Sequence, residues 1–138
     1  MKVRLVETDS EIQACFRVMS ELRPAIEEQG FVRRIRVQEA QGYRLVCVLD
    51  PDVVAVAGFR IGDNLAWGHY LYVDDLVTDS TRRSSGHGAA LLEWLAGHAR
   101  EQGCAELHLD SGVQRYDAHR FYLRHRMEIR SHHFSIRL

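Results

Sequence analysis

The segment best equipped for chemistry is Leu76-Val77-Thr78-Asp79-Ser80-Thr81-Arg82-Arg83-Ser84-Ser85-Gly86-His87-Gly88-Ala89-Ala90-Leu91. It passes from a β-rich run through a polar loop into the start of an amphipathic helical pattern. A helix N-terminus offers unpaired N–H groups and the positive end of its dipole, which suits phosphate. Gly86 and Gly88 let an anion approach the backbone, and consecutive N–H groups can form a concave nest. Arg83 adds a guanidinium fork matched to phosphate oxygens. The plain alternative is a strand-to-helix turn with convenient glycines. Just upstream, Asp74 and Asp75 offer adjacent carboxylates on the same β-rich run, where alternation sends their side chains to opposite faces. In the plain alternative, one caps a bulge and the other forms a surface ion pair.

Rival phosphate motifs fit less well. There is no G-x-x-x-x-G-K-[ST], which argues against a P-loop nucleotide hydrolase. A dinucleotide reading has Gly86-x-Gly88 opening a helix, with Asp110 at a suitable distance for a ribose hydroxyl. Against it, the third glycine position is Leu91, the preceding loop is too long, and no second mononucleotide half follows. The histidines form no metal set: there is no H-E-x-x-H, His132-His133 are adjacent, and His119 and His125 fall on different helical faces.

Elements must position these groups, and the chain supplies them in order. Val3 to Val6 reads as a strand. Thr8, Asp9 and Ser10 offer an N-cap for a helix bearing Ile12, Cys15, Phe16 and Met19. Pro24 interrupts that pattern, and Ile26, Phe31 and Ile35 suggest a second helix, stopped near Gly42. Strands are expected over Tyr43–Leu49 and Val53–Ile61, and after a turn at Gly62-Asp63-Asn64 over Gly68–Thr78. Ser84 and Ser85 can cap the next helix, buried through Leu91, Leu92, Leu95 and Ala99 and stopped by Gly103. A strand over Cys104–Leu109, a helix over Tyr116–His125 and a closing strand over Phe134–Leu138 complete the order. Strands and helices interleaved in this way predict a mixed α/β sheet flanked by helices, in one domain over 1–138.

Composition bounds the rest. The 138 residues are 46% hydrophobic and 27% charged, ordinary globular values. A formal net charge of −1 gives no reason to expect nucleic acid or a membrane surface as partner. No apolar stretch approaches the ~20 residues of a membrane span. Cys15, Cys47 and Cys104 are odd in number and form no C-x-x-C pair, which reads as reduced thiols in a cytoplasmic protein.

Two motifs at this separation resemble the GNAT superfamily of acyl-CoA-dependent N-acyltransferases. Leu76-Val77-Thr78 followed by Arg83-Ser84-Ser85-Gly86-His87-Gly88 is similar to a strand end followed by [QR]-x-x-G-x-[GA]. Ala118-His119-Arg120-Phe121-Tyr122 is similar to the family's N-x-x-A-x-x-F-Y helix. The resemblance implies a three-layer fold with about four helices, its mostly antiparallel sheet splayed beside Leu76–Thr78 to admit acetyl-CoA. It implies pantetheine pairing by Leu76, Val77 and Thr78, and pyrophosphate binding by the amides from Arg83 through Ser84, Ser85, Gly86, His87 and Gly88 to Ala89. It gives the Val77 amide an oxyanion role, and makes Tyr122 the acid that protonates the departing thiolate. Without the resemblance, Phe121-Tyr122 reads as core packing. The chain departs from the pattern at Arg115, where the family has Asn, at Arg126, where it has Gly, and at Met127, where it has an aromatic.

The implied reaction is attack of a primary amine, in a small molecule or a peptide, on the thioester within one ternary complex. An ammonium near pKa ~10 needs a proton acceptor. Asp75 and Asp74 are the candidates, with Asp75 preferred because its face also carries His69. His108 and Asp110 share one face of the next strand and are further candidates, or a buried pair. The resemblance places the acceptor against the region Glu21 to Phe31, where Glu21, Glu27 and Glu28 are either an amine-attracting set or a solvated face. Trp67, Tyr70 and Tyr72 offer an aromatic surface or a partner contact, and family habit implies a homodimer. A catalytically silent acyl-CoA-binding module and a nicotinamide enzyme are the competing readings.

Overall fold

A computed structural model describes residues 1–138. By contact it forms two compact units, Met1–His108 and Leu109–Leu138. The order is β1 (Lys2–Leu5), α1 (Asp9–Ala14), α2 (Phe16–Leu22), α3 (Phe31–Glu39), β2 (Arg44–Leu49), β3 (Val53–Asn64), β4 (Gly68–Thr78), α4 (His87–Glu101), β5 (Glu106–Leu109) and α5 (Tyr116–Arg124). The five strands lie in sequence order in one sheet, and β1 through β4 pair antiparallel. The mixed α/β architecture is as expected.

Local chemistry sets the boundaries. Thr8 and Glu11 close a capping box at the start of α1, with Thr8 N–H donating to Glu11 at 2.9 Å and Glu11 N–H donating to Thr8 at 3.2 Å. The single helix expected here is broken at Cys15, whose N–H donates to Ile12 three residues back. Pro24 ends α2, because the residue before a proline is pushed out of the helical region, and Arg23 sits at φ −121, ψ 72. The next helix begins at Phe31, later than the pattern suggests, because Gly30 turns the chain with φ 86. The expected turn at Gly62-Asp63-Asn64 is strand instead, with Asn64 opposite Gly68.

The two faces of the sheet are covered by different helices. One face buries Ile12, Val18, Phe31 and Ile35 of α1–α3 against Leu45, Cys47, Val56 and Val77. On the other, Phe59 of β3 meets Trp94 and His98 of α4 edge-on. Leu91 and Leu95 of α4 are fully buried there. Within the second unit, α5 ends in a Schellman arrangement: Met127 N–H donates to the Tyr122 carbonyl and Arg126 N–H to that of Leu123. Arg126 itself takes the left-handed turn at φ 65, so no glycine is needed to stop the helix. The closing strand expected over Phe134–Leu138 is not formed. Alternation gives that segment an apolar face, but a strand exists only when a neighbour pairs with it, and Phe134 and Ile136 are exposed.

The irregularity that matters for the site lies between β3 and β4. Phe59 faces Val73 and Gly58 faces Asp75, so Asp74 is an extra residue, a β-bulge. Gly58 has a steric reason: the Tyr43 hydroxyl end occupies the space a Cβ would take. Tyr43 is 2% exposed and has the Arg60 guanidinium over its ring, so it has little room to yield. Gly58→Ala should therefore destabilise the protein by about 1–3 kcal/mol, read as a lower urea midpoint. An unchanged midpoint would show that the bulge accommodates a side chain.

Candidate active site

The bulge reverses the expected geometry of the paired carboxylates. With one extra residue in β4, strict alternation is broken, and Tyr72, Asp74 and Asp75 all line the same cleft. The cleft measures about 660 Å³, and its other walls come from the end of α2, the segment after it, and α3. Leu22, Ile26, Phe31 and Ile35 make it apolar, while Arg23, Arg34 and Gln38 bring polar groups. The region Glu21 to Phe31 thus does form a wall. Its glutamates do not line the cleft: Glu21 accepts the Ser80 N–H at 2.9 Å, and Glu27 and Glu28 are exposed.

Both aspartates are held in place. Asp75 accepts from Arg23 Nε at 2.8 Å and from the Tyr43 hydroxyl at 2.7 Å. Asp74 accepts from Arg60 Nε at 3.0 Å through one oxygen, and Arg23 also donates to the Asp74 carbonyl at 2.9 Å. Burial raises the Asp74 pKa above the ordinary carboxylate value, with the Arg60 hydrogen bond opposing. Burial also raises that of Tyr43, and the Asp75 charge adds to the effect. Tyr43, Gly58, Arg23 and Arg60 were not singled out in the sequence. The lone glycine inside a β-run was the available signal, since it marks a bulge or a close approach.

His69 does not share Asp75's face. The bulge changes the parity of the strand between them, and His69 instead lies 3.1 Å from Asp63 across the hairpin. His108 bonds Glu106 at 2.7 Å and stacks on Trp67 at 3.5 Å, and Trp67 packs edge-on against Tyr70. Asp110 follows the end of β5 and faces His133 at 3.7 Å. Of the aromatic set only Tyr72 lines the cleft.

Past the bulge, the outer edge of β4 carries free backbone groups. Asp79 N–H donates to the Val54 carbonyl at 2.8 Å. Every second residue of an antiparallel ladder repeats that direction, so Val77, paired with Val56, turns its N–H into the sheet. The Val77 side chain is buried on the core side as well. The amide direction contradicts the oxyanion role expected of Val77: the outward amides are those of Leu76 and Thr78. β5 does not cover them, being four residues long and starting beside His69, at the far end of β4.

The loop after β4 is anchored at both ends. Asp79, 5% exposed, accepts from the Thr81 amide at 2.9 Å, from the Thr81 hydroxyl at 2.8 Å and from Arg17 at 2.8 Å. A 3-10 turn over Ser80–Arg82 follows. At the other end His87, 1% exposed, hydrogen-bonds Asp50 at 3.0 Å, and Arg82 bonds the Asp50 carbonyl at 2.9 Å. Ser84 and Ser85 do not cap α4. Gly86 does, at φ 82 and without a side-chain bond, and the first intrahelical bond runs from Ala90 N–H to Gly86. The amides of His87, Gly88 and Ala89 therefore have no partner within the helix. With Ser84 at φ 65 and an exposed Arg83, the loop is a cationic, amide-lined concavity suited to phosphate oxygens.

An open five-stranded sheet with a bulged fourth strand, an uncovered strand edge and a phosphate-suited helix start is the frame shared with the acetyltransferases that the chain matches. The profile described as the Acetyltransferase (GNAT) family matches residues 7–126, and the chain belongs to that family. An uncharacterized N-acetyltransferase of Bacillus subtilis, YhdJ, is 33% identical over 109 residues, 78% of this chain and 77% of its own. The aminoalkylphosphonate N-acetyltransferase of Salmonella typhimurium is 38% identical over 83 residues, 59% of this chain and 53% of its own. Among solved structures, ribosomal-protein-alanine N-acetyltransferase from Brucella melitensis superposes with TM-score 0.84 at 15% identity, covering 100% of both chains. Glucosamine-6-phosphate N-acetyltransferase from Arabidopsis thaliana does so with TM-score 0.80 at 21% identity, covering 99% and 97%. At those identities the superpositions speak for the fold.

The Asp79 anchor gives a pH test. The Thr81 amide and the Arg17 guanidinium lower its pKa to about 2, below the unfolded carboxylate near ~3.9. A depressed folded pKa contributes stability above the unfolded value, and that contribution is lost as pH falls through the folded one. Asp79→Asn should thus lower Tm at pH 7, with the gap to wild type closing between pH ~4 and ~2. A gap that stays constant across that window would contradict the anchor's ionic character.

Proposed function

We propose that the chain moves an acetyl group from acetyl-CoA to a primary amine by direct attack within one ternary complex. One observation carries the reading. The β4 bulge puts two carboxylates into a cleft of small-molecule size, and the same strand then presents the outward Leu76 and Thr78 amides. The phosphate-suited loop follows directly.

Acetyl-CoA would supply the activated thioester; the chain's own groups do the rest. Arg83 and the amides of Ser84 through Ala89 fit the pyrophosphate, and Leu76 and Thr78 fit the amide-rich pantetheine arm. The Leu76 N–H takes over the role expected of Val77 and donates to the oxygen that gains charge as the amine attacks. Asp75, fixed by Arg23 and Tyr43, orients the amine. Asp74 accepts its proton: burial makes that carboxylate more basic, and only one of its oxygens is engaged by Arg60. As the C–N bond forms and the C–S bond breaks, Tyr122 gives its proton to the leaving sulfur. Its side chain is the family's acid by motif, and burial raises its pKa and keeps the phenol protonated. Positioning supplies much of the remaining rate.

The acceptor is a small-molecule or peptide amine, and the size of the cleft favours the former. The family profile runs across both compact units, in keeping with one functional domain over 1–138. No helix is long and apolar enough to cross a membrane. We place the protein in the cytoplasm, where acetyl-CoA is available and its three free cysteines stay reduced. A homodimer belongs to this reading too.

Tyr122→Phe tests the mechanism. Thiol release with acetyl-CoA and an amine panel should fall at least about tenfold, while calorimetric affinity for acetyl-CoA stays at the wild-type value and NAD gives no heat. Unchanged turnover would remove Tyr122 as the acid. Intact acetyl-CoA binding without turnover of any amine would leave a binding module.

A further inference from the structure

The charges in the cleft do not suit a simple cationic amine. Asp75 is already compensated by Arg23, and Asp74 by Arg60. Arg34, on α3, lines the same cleft with its guanidinium in no ion pair and no hydrogen bond. Other arginines near this face are engaged: Arg17 with Asp79, and Arg36 with Asp9 and Glu39. The side-chain charges lining the cleft, two aspartates and two arginines, sum to zero, but with the aspartates compensated, the unanswered one is positive.

We propose that the acceptor is a zwitterion, a primary amine joined through a short apolar framework to a carboxylate or phosphonate, and that Arg34 anchors the anionic end. This rests on the acetyl-transfer reading and names its substrate class. The amine meets Asp74 and Asp75 on β4. The apolar part packs on Leu22, Ile26 and Ile35. The anion meets the Arg34 fork, which pairs bidentately with either oxyanion. Gln38, one turn further along α3, spends its side-chain oxygen on Arg60 at 3.0 Å, which leaves its amide N–H groups to donate. A dication would instead set its second charge against Arg34.

The test is a ratio. Thiol release is measured for leucine against leucinamide, for 4-aminobutanoate against its amide, and for the aminophosphonic analogue of leucine. At least one carboxylate-bearing member should exceed its amide partner about tenfold in kcat/KM. Arg34→Gln should bring that ratio close to one, and Arg33→Gln, outside the cleft, should leave it alone. The carboxylate and phosphonate arms then tell which anion is preferred. Amides turned over as well as the acids, or a ratio unmoved by Arg34→Gln, would overturn the zwitterion while leaving acetyl transfer standing. If no acceptor turns over, calorimetric binding of the same pairs to the CoA complex decides, and equal or absent binding overturns the proposal. Failure of acetyl transfer itself shows separately, as absence of acetyl-CoA binding or as intact acetyl-CoA binding with no turnover of any amine in the wider panel.

Discussion

Asp74 is one residue more than the β3–β4 ladder needs, and the arrangement of the site follows from that excess. Without it, Asp74 and Asp75 would project to opposite faces of the sheet, and only one could reach the cleft. With it, both enter the space under α2 and α3, and the strand resumes its alternation with Val77 in the core and the Leu76 and Thr78 amides facing out. The bulge is held from β3 by Gly58, which leaves room for the Tyr43 hydroxyl to reach Asp75 at 2.7 Å. Arg23 holds it from above, because Pro24 ends α2 at that residue.

The same strand then leads into the anchored loop before α4. Asp79 closes β4 and starts the loop, spending its carboxylate on Thr81 and Arg17, while the buried His87 and Asp50 fix the loop's other end to the β2–β3 turn. Between these anchors the backbone takes left-handed turns at Ser84, where a side chain makes that costly, and at Gly86, where it does not, and the amides of His87 to Ala89 have no partner within the helix. The β4 wall of the cleft and the amide-lined loop are thus successive stretches of one chain segment.

Much of the fold was legible because turn chemistry and periodicity coincide. Thr8, Pro24 and Gly103 punctuate the chain where their backbone preferences say they should, whereas the start of α4 falls at Gly86 and not at the serines before it. The break at Cys15 was not legible, since no proline or glycine marks it. The parity of β4 is not legible either: period-2 reasoning assumes an unbroken ladder and so puts His69 on Asp75's face, and the outward amide that the family resemblance implies at Val77 falls one residue off on the same strand. Gly58, alone inside a β-run, was the residue that could have warned of the bulge. The strand expected over Phe134–Leu138 failed for the opposite reason, because its pattern was right but a pattern supplies no partner. The unpaired Arg34 could not be foreseen, since a chain with 18 Lys and Arg residues does not say which cation is left over.

The central claim is that acetyl-CoA lies along the outward edge of β4 and on the start of α4. Residue-resolved amide hydrogen exchange by NMR, with and without acetyl-CoA, tests it most directly. The account predicts new protection at Leu76 and Thr78 and from Ser84 through Ala89, with Val77, already bonded into the sheet, unchanged. Protection that appears elsewhere, or that leaves Leu76 and Thr78 exchanging as before, would contradict it.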